Sequence, residues 1–125
     1  MLKIAVFVSG GGTDLQSVID AIEANQINGK IVLVISNRKN AYGLERAKKA
    51  GIETAVVKKD DELIVKMLKE REVDLVVLAG YLAILSDVLI DAYPNKIINI
   101  HPSLIPSFCG PGYYGMHVHE AVLKR

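Results

Sequence analysis

Cysteine is almost absent. Cys109 stands alone in 125 residues, so no internal disulfide can form, and a reducing compartment fits that usage. An excess of one charge is missing as well. The formal net charge is +1 and no long basic run occurs, which gives no support to a nucleic-acid partner. Long apolar runs are also lacking. The run at 4–8 is soon ended by Gly10 and is too short for a signal peptide. The longest, at 75–85, is interrupted by Gly80 and falls short of the roughly 20 residues that cross a bilayer. No repeat, linker or low-complexity segment is present. What remains is the expectation of one soluble, cytoplasmic domain without a membrane segment. Its 50% hydrophobic content is enough to build a single core.

Apolar runs at 3–8, 31–35, 54–57, 75–79 and 96–100 predict five strands. Helical patterns fall between them at 44–50, 60–71 and 86–92, with one helix beginning at Thr13 and a last one near His117. Thr13 and Gln16 have capping-box spacing. Leu15, Val18, Ile19 and Ile22 supply the first helix with an apolar stripe. Residues 40–43 read as a polar turn, and Gly51 as a helix stop. Leu63, Ile64, Met67 and Leu68 are expected to face inward. Strands that alternate with helices and carry continuous apolar runs imply an α/β, Rossmann-like, mostly parallel sheet with helices on both faces. Ligands in such sheets sit beyond the carboxyl ends of strands, where the strand order reverses. With the first strand beside the fourth, the loops after Val8, Ala79 and Ile100 would share one crevice.

Three segments on those loops carry chemistry. Asn99 and His101 flank Ile100 at the end of the fifth strand, so alternation points both to one side. A neutral amide beside a titratable imidazole suits a reaction in which a carbonyl oxygen gains negative charge while a proton moves. The plainer alternative is a hydrogen-bonded pair that ends a strand. Ser9-Gly10-Gly11-Gly12-Thr13-Asp14 joins a strand to a helix, where glycines let backbone N–H groups approach an anion. It is no dinucleotide fingerprint, because Leu15 occupies the third glycine position, and no Walker loop, because no Gly-Lys-Ser/Thr follows. A phosphate site and a simple glycine turn both fit, and the charge of Asp14 opposes a phosphate unless it turns away. The second strand ends Ser36-Asn37-Arg38, without the acid that a ribose diol of NAD calls for. The apolar residues at 80–86 suit either a flat heterocycle or ordinary core. Cys109 reads as an inert small residue more readily than as a nucleophile. His117 and His119 diverge on a helix and have no carboxylate cluster, so no metal site is expected.

Four blocks of residues together resemble the folate-dependent formyltransferases, and within them the glycinamide ribonucleotide transformylases. The first is Ser9-Gly10-Gly11-Gly12-Thr13-Asp14-Leu15-Gln16. The second is Ser36-Asn37 with Gly43-Leu44-Glu45-Arg46-Ala47. The third is Leu78-Ala79-Gly80-Tyr81-Leu82-Ala83-Ile84-Leu85-Ser86. The fourth is Asn99-Ile100-His101-Pro102-Ser103-Leu104-Ile105-Pro106. The resemblance covers nearly the whole chain. It implies transfer of a formyl group from 10-formyltetrahydrofolate, as co-substrate, to the amine of glycinamide ribonucleotide, with no metal. By resemblance Gly11, Gly12, Thr13 and Asp14 hold the ribonucleotide phosphate. Tyr81, Leu82, Ala83, Ile84 and Leu85, with Ile90, Ile97 and Asn99, hold the folate. Asn99 and His101 are the catalytic pair. Two departures accompany it. Ala83 stands where relatives often carry Arg, and residues 1–125 form a single domain without the family's later strands, helix and catalytic Asp. An exposed sheet edge in such a domain would favour a homodimer. The competing expectations are a binding-only chain without turnover and a formyl-folate hydrolase.

Overall fold

The first strand lies at the centre of the sheet, with parallel partners on both sides. The computed structural model describes residues 1–100; the readings placed on His101, Cys109, His117, His119 and the last helix lie outside the described residues. Strands β1 (Leu2–Val8), β2 (Gly29–Ser36), β3 (Thr54–Val56), β4 (Leu75–Leu78) and β5 (Ile97–Asn99) alternate with helices α1 (Thr13–Glu23), α2 (Tyr42–Lys49), α3 (Asp61–Glu70) and α4 (Asp87–Ala92). The sheet order is β3-β2-β1-β4-β5, and every pairing is parallel. From β1 the chain steps outward through β2 to β3. It then crosses back to β4 on the other side, so the order reverses between β1 and β4. The expected adjacency of the first and fourth strands is present, with Ile4 opposite Leu75.

Alternation along β1 divides its side chains between two helical layers. Ile4, Val6 and Val8 pack with Leu15, Val18 and Ile19 of α1 and with Leu44 and Ala47 of α2. Ala5 and Phe7 pack with Ile64 and Leu68 of α3 and with Leu89 of α4. Both faces are covered, which is why the strands read as unbroken apolar runs. Phe7 has no exposed surface. Burying a side chain of that size contributes roughly 1.5–3 kcal/mol.

The structure corrects three local expectations. Thr13 does not cap α1. The N-cap is Gly12, in the left-handed region at φ 77, and no side-chain cap bond forms. Thr13 is therefore the first helical residue, and a side chain there cannot reach back as an extended N-cap residue does. The Gln16 backbone N–H donates to the Gly12 carbonyl at 2.8 Å, and its side chain donates to Asp20 instead. Tyr42 and Gly43 belong to α2, not to a polar turn. Gly43 lets that helix close on β1, since a Cβ there would lie 3.0 Å from Val8 Cγ2. Leu63 is exposed, whereas Ile64 and Leu68 are buried. A helical step of about 100° carries Leu63 away from the line that joins those two. At the start of α3, the Asp60 carboxylate accepts from Leu63 N–H at 3.1 Å and caps the helix.

Candidate functional site

The carboxyl ends of β1, β2 and β4 meet at one hydroxyl. Ser9, directly after β1, is 1% exposed. Its Oγ donates to Asn37 Oδ1 at 2.6 Å, in the loop after β2. The same atom accepts from the Leu82 N–H at 2.8 Å, in the loop after β4. Ala79 N–H donates to the Phe7 carbonyl, and Ile100 N–H to the Leu78 carbonyl. The end of β4 therefore lies between those of β1 and β5, at the switch point.

On the α1/α2 side of this edge lies the glycine loop. A Cβ on Gly10 or Gly11 would have no neighbour within 4 Å, so a ligand can come close to the backbone there. At Gly12 a Cβ would lie 2.6 Å from Gly43 Cα, and Gly43 N–H donates to the Gly10 carbonyl at 2.9 Å. Thr13, Asp14 and Leu15 open α1 ahead of its first intrahelical N–H donor. The N–H groups and positive dipole end of a helix start favour anions. Arg46 of α2 adds a cation, with Nε donating to the Gly11 carbonyl at 2.7 Å. Nothing in the spacing pairs residues 35 apart, so Arg46 was missed as part of the loop.

On the α3/α4 side lies a cavity of about 550 Å³. Tyr81, Leu82, Ala83 and Ile84 form one wall. Leu82 and Ile84 are exposed apolar residues at 71% and 95%. The Tyr81 ring stands edge-on to Phe7, with centroids 5.2 Å apart. The rest of the lining is Asn37, Arg38, Lys58, Lys59 and Asp61, none of which the sequence places in a site. The Asp61 carboxylate accepts from Ser86 N–H at 2.8 Å. The lining thus combines an apolar plate with three cations and one carboxylate. A net charge of +1 for the whole chain conceals that local excess.

Burial pushes the Tyr81 phenol up to about 12, and the Asp61 carboxylate adds to the effect. The folded protein therefore keeps this proton longer than the unfolded chain, in which tyrosine ionises near 10. The associated stability is intact below pH 10 and declines as pH rises toward about 12. Subtracting the tyrosinate absorbance titration of Tyr81→Phe from that of the unsubstituted protein is expected to leave one phase near pH 12. A difference phase near pH 10 would show a phenol open to water.

The expected folate segment is divided by the structure. Tyr81, Leu82, Ala83 and Ile84 share the cavity. Leu85 packs half-buried on the α3/α4 core, Ile97 lies within that core, and Ile90 is half-buried on α4. Asn99 ends β5 opposite Leu78, on the same sheet face as Ile97 by strand alternation. Gly11, Gly12, Thr13 and Asp14 lie together at the α1 start. Among the described residues, no group of three or more His, Cys, Asp or Glu is placed to hold a metal ion, and no helix is long and apolar enough to cross a membrane.

Residues 2–125 match the family model described as formyl transferase. The chain is 47% identical to a phosphoribosylglycinamide formyltransferase of Haemophilus influenzae, covering 91% of this chain and 58% of that protein. It is 41% identical to a chloroplastic phosphoribosylglycinamide formyltransferase of Arabidopsis thaliana, covering 98% of this chain and 45% of that one. The chain thus spans about half the length of these relatives. Among solved structures it is similar to glycinamide ribonucleotide transformylase 1 from Symbiobacterium toebii. The TM-score is 0.80 and the identity 40%, over 89% of this chain and 56% of that one.

Proposed function

The chain belongs to the formyl transferase family, and we propose that it serves the reaction of the glycinamide ribonucleotide transformylases in purine biosynthesis. A formyl group passes from 10-formyltetrahydrofolate to the amine of glycinamide ribonucleotide. One observation carries this reading. An anion-favouring helix start and an apolar, cation-lined cavity lie on opposite sides of a single switch point, joined through Ser9. That arrangement suits two ligands that meet end to end, one bearing phosphate and the other a flat heterocycle with carboxylates.

The phosphate falls to the backbone of Gly11, Gly12, Thr13 and Asp14, with the Arg46 guanidinium held on the Gly11 carbonyl beside them. The cavity volume lies within the usual range for small-molecule sites, roughly 300–1,000 Å³. Tyr81, Leu82, Ala83 and Ile84 offer the heterocycle an apolar wall, and Leu85, Ile90 and Ile97 complete the folate contacts. Asn99 donates to the oxygen on which charge develops, and His101 moves the proton released by the attacking amine. No metal enters this chemistry. The single-cysteine composition supports a cytoplasmic setting. β3 lies at a sheet edge with β2 as its one strand neighbour among the described residues, which supports association of two copies along that edge.

The test is formyl transfer by the purified, folded chain, following the folate product with and without glycinamide ribonucleotide. Turnover that requires the ribonucleotide is the expected result. Turnover without it would make water the acceptor and the protein a hydrolase. A folded chain that binds both ligands and turns over neither would sink the reading.

A further inference from the structure

Ser9 is the buried polar side chain that connects the three loops of the site, and it lines no part of the cavity itself. Its two bonds reach partners 28 and 73 residues away. Both partners, Asn37 and Leu82, line the cavity. The Leu82 N–H can only donate, so Ser9 Oγ must accept there. The hydroxyl hydrogen is then left for Asn37, which satisfies it with its amide oxygen. The Asn37 amide stands with Oδ1 on that hydrogen at 2.6 Å, the orientation in which the Ser9 hydroxyl hydrogen is not left unpaired. Its Nδ2 group is the end left for a ligand in the cavity.

We propose that Ser9 is a positioning residue for the formyl donor, holding the Leu82 backbone in place and turning Asn37 so that it offers donors to the cavity. This rests on the transformylase reading for the identity of the donor. The physical reason is the cost of the alternative. Without the hydroxyl, the Leu82 N–H and the Asn37 amide oxygen lose their shared partner in a part-buried setting, and each must turn elsewhere to find another. The segment from Tyr81 to Ile84 is then free to shift and Asn37 free to flip. Either change alters the wall against which the donor packs. The glycine loop has its own anchors, Gly43 N–H on Gly10 and Arg46 on Gly11, so the phosphate side is expected to be indifferent.

Ser9→Ala and Ser9→Cys test this, the latter keeping a weak donor and acceptor of similar size. In Ser9→Ala, the KM for 10-formyltetrahydrofolate is expected to rise about fivefold or more, as for a lost hydrogen bond. The KM for glycinamide ribonucleotide is expected to stay unchanged, with partial recovery of the first value in Ser9→Cys. Hydrogen exchange gives a second readout that needs no activity. Protection of the Leu82 amide is expected to fall in Ser9→Ala, while that of Ala79, bonded to Phe7, stays intact. Unchanged Leu82 protection would overturn the proposed anchor. Faster Leu82 exchange with an unchanged donor KM, or an equal rise in both KM values, would overturn its role toward the donor. If the unsubstituted protein turns over no formyl donor, the transformylase reading fails, and the exchange measurement still decides whether Ser9 holds the wall.

Discussion

Replacing Asn99 by alanine is expected to lower kcat for formyl transfer by about a hundredfold or more, with a much smaller change in either KM. Removing one preorganised donor from a developing oxyanion costs on the order of 10²–10³ in rate. The position supports that use. Asn99 ends a three-residue strand opposite Leu78, so its side chain is carried by the sheet and not by a mobile loop. Little of its geometry has to be recovered at the moment of reaction. Asn99→Asp is the stricter control. It keeps the shape and replaces a donor by an anion that repels the charge developing in the transition state. Its rate should be no better than that of the alanine variant. Steady-state kinetics on both variants, with a thermal melt to show that each is folded, is the measurement. An Asn99→Asp variant near the unsubstituted rate would exclude the amide as a donor to that oxygen.

Gly12→Ala is expected to destabilise the fold by about 2–4 kcal/mol, since two costs fall on one methyl group. A left-handed conformation costs an L-residue roughly 1–2 kcal/mol. The added Cβ would also lie 2.6 Å from Gly43 Cα and 3.1 Å from Arg46 Cδ. The arginine end can move aside, but the glycine backbone is part of α2 and can move only with the helix. The melting temperature should fall by about 10 °C for a domain of this size. Gly10→Ala and Gly11→Ala separate stability from binding. Their new methyl groups meet nothing within 4 Å, so they should melt within a few degrees of the unsubstituted protein. They should nevertheless weaken binding of a phosphate-bearing ligand, because the methyl occupies the space a phosphate needs. Equal melting temperatures for all three variants would exclude the close packing of Gly12 on Gly43.

The adjacency of the first and fourth strands was legible because apolar runs alternating with helices allow few topologies, and the handedness of parallel crossovers removes most of those. All five strands lie within two residues of the expected bounds. The helix starts were less legible. The Thr13…Gln16 spacing is the same whether the preceding glycine is extended or left-handed, and only the φ of Gly12 decides which residue caps. Leu63 and Ile64 are adjacent, chemically alike residues, and which of them faces the sheet depends on the angle at which α3 docks. The cavity was half legible. Its apolar wall is one continuous segment, whereas Asn37, Arg38, Lys58, Lys59 and Asp61 come from two other loops and a helix start. Ser9 belongs to a glycine motif in the sequence, yet its hydroxyl acts across 73 residues of chain, a separation that leaves no local trace.

The central position of β1 also has a consequence on the ribosome. Ile4 is opposite Ile31 on one side and Leu75 on the other. The second partner is synthesised 71 residues after the first strand, the separation that also divides Lys3 from Asp74. At roughly 5–20 residues per second, that leaves about 4–14 s in which one flank of β1 has no strand beside it. Phe7 has no cover from β4, α3 or α4 for most of that time. The nascent chain therefore carries its central strand half-finished, and a chaperone that shields short apolar segments at the tunnel exit would find its substrate there.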